Sequence, residues 1–179
     1  DTIPLASATN LALTLKHIGQ KMNLEEDVLF LYLTSHGSSN HELAVNMWVL
    51  DLNDIRPEDI QSYLDEAGIR WRIIIISACY SGGFIQQLQN ENSLIFTAAA
   101  ADKTSFGCAN ENDFTYFGEA VFDQIKREPY LLESSFKMVI EKIKQRELSE
   151  KLPNSEPQLF IGSRMLDKLK QLEQEIRFP

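Results

Sequence analysis

The sequence predicts an α/β fold with a mostly parallel sheet, because strand-like apolar runs alternate with helix-like segments along its 179 residues. The clearest strands are residues 27–34 (DVLFLYLT) and 72–77 (RIIIIS), and a third is residues 94–99. Unbroken apolar runs of this length are typical of strands that are buried on both faces, as in parallel sheets. No repeat or long linker divides the chain, so we predict a single domain over residues 1–179.

Helices are predicted between and after these strands. One begins at Pro57-Glu-Asp and ends near Gly68. Proline and acids at its start and a glycine past its end are the polarity expected of a helix. Another helix is expected to begin at about Gly83. The other predicted elements are helices at 9–22, 116–126, 133–147 and 166–176, a short strand at 158–161, and a short excursion or hairpin at 42–52.

Composition excludes some classes of function. The formal net charge of -9 argues against a nucleic-acid partner, since phosphate binding needs clustered Lys and Arg. The sequence has no apolar run of the roughly 20 residues that a membrane span requires. Its two cysteines are too few for a disulfide framework, and they leave the redox compartment open.

Two of the predicted strands are followed by reactive residues, His36 and Cys79. Parallel strands separated by helices place their carboxyl ends at one edge of the sheet, so neighbouring strands would bring these residues to one rim. The helix predicted after Cys79 would favour its thiolate, and the N–H groups of Gly37 and Cys79 could form an oxyanion hole. The alternative is that Cys79 is an inert buried thiol, that His36 only ends a strand and that Gly37 is an ordinary turn residue.

Four motifs in order resemble the legumain family of cysteine peptidases, in a bacterial-type form. They are TSHGS (34–38), SACYSGG (77–83), TAAAADKTSFGC (97–108) and FTYFGEA (114–120), and the resemblance covers nearly all of the chain. It implies the caspase-like fold, a three-layer sandwich in which a mostly parallel, six-stranded sheet lies between helices.

The resemblance also implies roles for residues at the rim. Cys79 would be the nucleophile and His36 the general acid and base, while the N–H groups of Gly37 and Cys79 would hold the oxyanion. In this family the thiol and the imidazole need not be hydrogen-bonded at rest. The chemistry needs no metal or organic cofactor.

The residues that match the family's primary substrate pocket are Ser77, Thr104, Ser105 and Glu119. Legumains that cut after asparagine usually carry an acid where Ser77 stands, so this pocket has lost a charge. Glu119, where the family tends to have Asp, could accept the amide of Asn or attract a basic side chain. The alternative interpretation is that Glu119 is an ordinary exposed glutamate on a helix.

The remaining reactive side chains are expected to be structural or solvated. We expect Cys108 to pack in the polar loop rather than react, and His17 to be solvated on a helix. His41 is also expected to be solvated, although it is close enough to the site to contact substrate.

One edge of the sheet is expected to need a cover. Members of the family begin with a strand and helix before the region matched here, and that strand lies beside the one that ends in His36. Without it, strand 28–34 would be a long apolar edge, which natural sheets avoid. We therefore expect an upstream segment or a second chain to cover this edge. A soluble domain of a bacterial membrane-anchored or extracytoplasmic protein is one hypothesis for its location.

Taken together, the motifs predict a cysteine endopeptidase that hydrolyses peptide bonds through a thioester acyl-enzyme. The peptide or protein substrate would lie extended along the rim and be cut after Asn or another polar residue. A transamidase or peptide ligase using the same residues is the first alternative, because an amine can replace water in the second step. The second is a caspase-like binding module without turnover.

Overall fold

A four-stranded sheet forms the centre of the protein, whose computed structural model describes residues 3–108, 112–128 and 133–177. The strands lie in the order β1-β2-β3-β4; β1 to β3 are parallel and β4 is antiparallel to β3. The predicted mostly parallel sheet is therefore confirmed. The strands are β1 (Val28–Thr34), β2 (Trp71–Ser77), β3 (Ser93–Thr97) and β4 (Gln158–Ile161).

Six α-helices within the described residues flank the sheet. The first begins after Ser7, whose side chain accepts a hydrogen bond from the backbone N–H of Asn10 at 3.3 Å and so caps it. Within the described ranges, no helix combines the length and the apolar character that crossing a bilayer requires. The helices are α1 (Ala8–Gly19), α2 (Pro57–Glu66), α3 (Ile85–Leu88), α4 (Tyr116–Arg127), α5 (Glu133–Ser149) and α6 (Ser163–Arg177).

The isoleucine run of β2 supplies both faces of the core. Ile74 and Ile76 belong to the cluster that contains α1, α2 and α3, whereas Ile73 and Ile75 belong to the cluster that contains α4, α5 and α6. Each of these side chains is buried, which stabilises the fold by roughly 1.5–3 kcal/mol per side chain. The helices thus form two layers around the sheet, which confirms the predicted three-layer sandwich.

Strand β1 is an edge strand. It pairs with β2, and no other described residue pairs with its outer side. Phe30 in this strand leaves 42 % of its surface exposed. The resemblance implied six strands, whereas the described part of the chain forms four, and nothing in that part takes the place beside β1.

The predicted excursion at 42–52 is an irregular loop. Isolated antiparallel bridges join Leu43 to Gly37 and to Ile55 at its base, and a third joins Met47 to Leu50 at its tip. The base of this loop is therefore tied to the segment that follows β1, while Trp48 at the tip is 89 % exposed.

Candidate active site

The pairing of β1 with β2 places the two predicted reactive residues at one rim. Thr34 is opposite Ser77 at the end of the paired register. The N–H of Ser35 then donates to the carbonyl oxygen of Ser77 at 3.3 Å, which continues the contact beyond the strands. His36 and Cys79 each follow two residues after the last paired position.

Gly37 and Cys79 are in backbone contact. A Cβ atom added to Gly37 would overlap the carbonyl oxygen of Cys79 and lie 3.2 Å from the backbone nitrogen of Cys79. Only a residue without a side chain permits this approach. The structure thus brings together the two residues whose N–H groups were predicted to form an oxyanion hole.

The backbone of His36 is fixed while its ring stays exposed. Its carbonyl oxygen accepts a hydrogen bond from the N–H of Ala44 at 2.9 Å. The hydroxyl of Ser35 donates to the carbonyl oxygen of Ala44 at 2.6 Å. Two hydrogen bonds to one residue therefore attach the His36 segment to the loop that follows it.

The thiol of Cys79 is half-buried against Ser105. The Ser105 N–H donates to Sγ at 3.3 Å, and the thiol can donate to the carbonyl oxygen of Ser105 at 3.5 Å. The hydroxyl of Ser105 lies 3.7 Å from the same sulfur. In the described structure the hydrogen-bond partners of this thiol are all on Ser105, and none is on His36.

Helical structure begins near Gly83 as predicted, but it starts as a 3-10 turn and its α-helical part is short. The chain after Cys79 enters a left-handed conformation at Tyr80 (φ 57°), then a 3-10 turn over Ser81–Phe84, and only then the four-residue helix α3. Glycine is a poor helix former, and such a short helix has little dipole. Helix α3 is therefore too short to favour the Cys79 thiolate through its dipole. The polar neighbour of the sulfur is Ser105, whose N–H donates to it.

Ser77 and Thr104, two of the predicted pocket residues, differ in their surroundings. Ser77 is 1 % exposed, and its hydroxyl lies 2.7 Å from the hydroxyl of Thr115. Thr115 is also the N-cap of α4, where its side chain accepts from the N–H of Gly118. Thr104 is exposed in the loop that leads to Ser105.

Glu119 has a basic partner on the neighbouring helix α5. Its carboxylate accepts a hydrogen bond from the guanidinium of Arg146 at 2.6 Å. Arg146 also pairs with Glu150 at 3.1 Å and lies 3.6 Å above the ring centre of Tyr116. The Tyr116 hydroxyl donates to Glu150, which raises the pKa of the phenol and lowers the pKa of the carboxyl. Glu119 thus shares the positive charge of Arg146 with Glu150.

Cys108 does not pack as predicted, because it is exposed at the surface. Together with Thr34 and Thr115 it lines a groove of about 350 Å³ beside the end of β1. Protein atoms that shield its sulfur from water raise the pKa of Cys108, and the thiol of Cys79 raises it further.

His41 is a site residue whose contacts the sequence did not indicate. It is half-buried rather than solvated, and its Nδ1 atom lies 3.1 Å from the carbonyl oxygen of Tyr80. The only hint in the sequence is its position five residues after His36. His17, by contrast, is exposed on α1 as predicted.

Comparisons with known proteins identify the fold and the family of the chain. No curated protein sequence matches the chain significantly. The chain is similar in fold to the crystal structure of caspase-1 from Spodoptera frugiperda, with a TM-score of 0.65 and 14 % sequence identity. That likeness covers 90 % of this chain and 70 % of the caspase chain. The profile of the peptidase C13 family matches residues 13–167, and the chain therefore belongs to this family of cysteine peptidases, the legumain family.

Proposed function

We propose that the protein is a cysteine endopeptidase with Cys79 as nucleophile and His36 as general acid and base. The N–H groups of Gly37 and Cys79 would stabilise the oxyanion. The observation that carries the proposal is the contact between the Gly37 and Cys79 backbones at the rim where β1 and β2 end. Membership of a cysteine-peptidase family adds to it.

The reaction proceeds in two steps at this rim. The Cys79 thiolate attacks the carbonyl carbon of the scissile bond, and the oxyanion forms beside the two N–H groups. His36 donates a proton to the leaving amine as the C–N bond breaks, which leaves a thioester. In the second step His36 takes a proton from water, the water attacks the thioester, and the Cys79 thiolate leaves.

The proposed primary pocket favours an uncharged polar side chain such as Asn. Ser77 occupies the position where an acidic residue would attract a basic substrate side chain. Its hydroxyl is hydrogen-bonded to the hydroxyl of Thr115. Glu119 is paired with Arg146 at 2.6 Å, so a basic substrate side chain would have to displace a resident cation. A neutral amide needs no such displacement and can bind to a carboxylate oxygen that Arg146 leaves free.

The outer edge of β1 is also proposed to bind a strand, from an upstream segment of the polypeptide or from a second chain. Its backbone groups have no partner among the described residues, and Phe30 adds exposed apolar surface. Such edges bind extended segments of other chains.

A fluorogenic peptide panel tests the proposed activity. The residue before the cleaved bond is varied among Asn, Asp, Arg, Lys and Ala, and hydrolysis is expected to be fastest after Asn. Cys79→Ala should lower kcat/KM on the order of 10⁴-fold or more, because the nucleophile is lost. Cys108→Ala is the matched control and should stay near wild type.

The same panel separates the alternatives. Hydrolysis that persists in Cys79→Ala would contradict the assigned nucleophile. Peptide binding without any turnover would favour a binding module, and products joined to an added amine would favour a ligase.

Gly37→Ala should lower kcat by roughly 10²- to 10³-fold, with a smaller change in KM. The added Cβ would overlap the Cys79 carbonyl, which separates the two N–H groups of the oxyanion hole. Ser39→Ala, at an exposed position in the same loop, is the control and should be neutral. Steady-state kinetics and a melting curve are recorded for both. A folded Gly37→Ala variant with wild-type kcat would rule out this oxyanion hole.

Arg146→Met should shift selectivity towards basic residues before the cleaved bond. The change frees the Glu119 carboxylate, and the partly exposed pair is worth up to about 1 kcal/mol, or about fivefold in the ratio of kcat/KM for Arg over Asn. Lys144→Met removes the same charge at an exposed position of the same helix and should leave the ratio unchanged. An unchanged ratio in Arg146→Met would place Glu119 outside the pocket.

The edge proposal is tested by sedimentation of the chain over a range of concentrations. Residues 1–179 alone should self-associate as concentration rises, and Phe30→Lys should reduce this because charge at an edge opposes strand pairing. Leu148→Lys, at another exposed apolar position, is the control and should leave self-association unchanged. A wild-type chain that remains monomeric throughout would contradict pairing of this edge with a second chain.

A further inference from the structure

His41 connects the loop that carries His36 and Gly37 to the loop that carries Cys79. Its Nδ1 atom lies 3.1 Å from the carbonyl oxygen of Tyr80, the residue that follows Cys79. A carbonyl oxygen only accepts hydrogen bonds, so Nδ1 must carry the proton. The contact therefore requires either the Nδ1–H form of the neutral ring or the imidazolium.

The peptide groups on both sides of Tyr80 are held by different parts of the chain. Its N–H donates to the carbonyl oxygen of Lys103 at 2.7 Å. Its own carbonyl oxygen accepts from the N–H of Gly83 at 3.2 Å and from the His41 ring. Without the His41 ring, this carbonyl oxygen would keep only the hydrogen bond from Gly83 in its own turn. It would then have no hydrogen bond to the loop that carries His36.

Both residues of this contact have strained backbones. His41 has a φ of 61° and Tyr80 a φ of 57°, which lie in the left-handed region that residues with a Cβ atom seldom adopt. Such conformations are energetically unfavourable and persist only where surrounding contacts impose them. The hydrogen bond between the two residues is one such contact.

Gly83 makes room for the imidazole. A Cβ atom added there would overlap Cγ and Nδ1 of His41 and lie 2.5 Å from Cδ2. The φ of Gly83 is not positive, so the ring, and not the backbone conformation, excludes a side chain at this position. The ring thus lies directly against the turn that follows Cys79.

We propose that His41 is a positioning residue that holds the Cys79 turn in register with the His36–Gly37 segment. It acts through Tyr80 and does not touch the reacting atoms. This inference rests on the proposed peptidase function, because the arrangement that it maintains is the one assigned to catalysis there.

Two substitutions at His41 separate the hydrogen bond from the backbone conformation. His41→Gly accepts a positive φ and lacks the donor, whereas His41→Asn tolerates a positive φ and can donate from Nδ2. With the best peptide of the panel, His41→Gly should lower kcat by roughly 10- to 100-fold with KM changed far less, since misplacement of about 1 Å costs this much. His41→Asn should restore most of the rate. Equal rates in the two folded variants would overturn the proposal.

A double-mutant cycle with Gly83→Ala tests the same contact from the other side. Gly83→Ala should displace the His41 ring and lower kcat, whereas in the His41→Gly background it should cost little more, because the ring is gone. Melting curves of all four proteins control for loss of folding. Fully additive losses in kcat would contradict a shared contact.

Two further measurements do not depend on peptidase activity. Imidazole ¹⁵N shifts should show a proton on Nδ1 of His41 at neutral pH, and a neutral ring protonated only on Nε2 would overturn the proposal. Hydrogen exchange at the Gly83 amide should be faster in His41→Gly than in His41→Asn, and equal exchange would also overturn it. If no peptide is hydrolysed, the proposed function fails, and these two results still decide whether His41 holds the turn.

Discussion

The register of β1 against β2 is the constraint on which the site depends. Thr34 is opposite Ser77, and because the strands are parallel, residues at equal offsets beyond this pair meet at one edge. His36 and Cys79 both lie at an offset of two. A slip of one residue would give His36 and Cys79 unequal offsets, and they would no longer meet. The ladder of backbone pairs between β1 and β2 therefore sets the alignment of the proposed catalytic pair.

Beyond the strands, alignment depends on contacts between loops. Gly37 meets the Cys79 backbone directly, and Ser105 holds the thiol from the third loop. His41 adds a side-chain tie from the His36 loop to Tyr80. The proposed nucleophile thus lies among three loops whose positions are set by different strands. A substitution in any one of these loops can therefore change the geometry of Cys79 without touching substrate.

The layers of the fold could be predicted from the sequence because their signals are local. The apolar run at 27–34 is typical of a buried strand wherever it pairs. The failures depend on contacts between distant residues. His41 contacts a carbonyl oxygen 39 residues away, and Glu119 pairs with Arg146, 27 residues away on another helix. The helix predicted near Gly83 begins as a 3-10 turn, and no local pattern indicates the half-buried imidazole that lies against this glycine.

If Cys79 is the nucleophile, it forms a covalent acyl-enzyme at the rim that it shares with His36. Acid quenching during turnover of a good peptide, followed by intact-mass and peptide-level mass spectrometry, tests it directly. We expect an added mass equal to the acyl part of the substrate, bound to Cys79 and released by hydroxylamine, and we expect it to form more slowly in His36→Ala. An acyl group on Cys108 would contradict an acyl-enzyme on Cys79. Turnover without any adduct, in a variant whose thioester hydrolysis is slowed, would also contradict it.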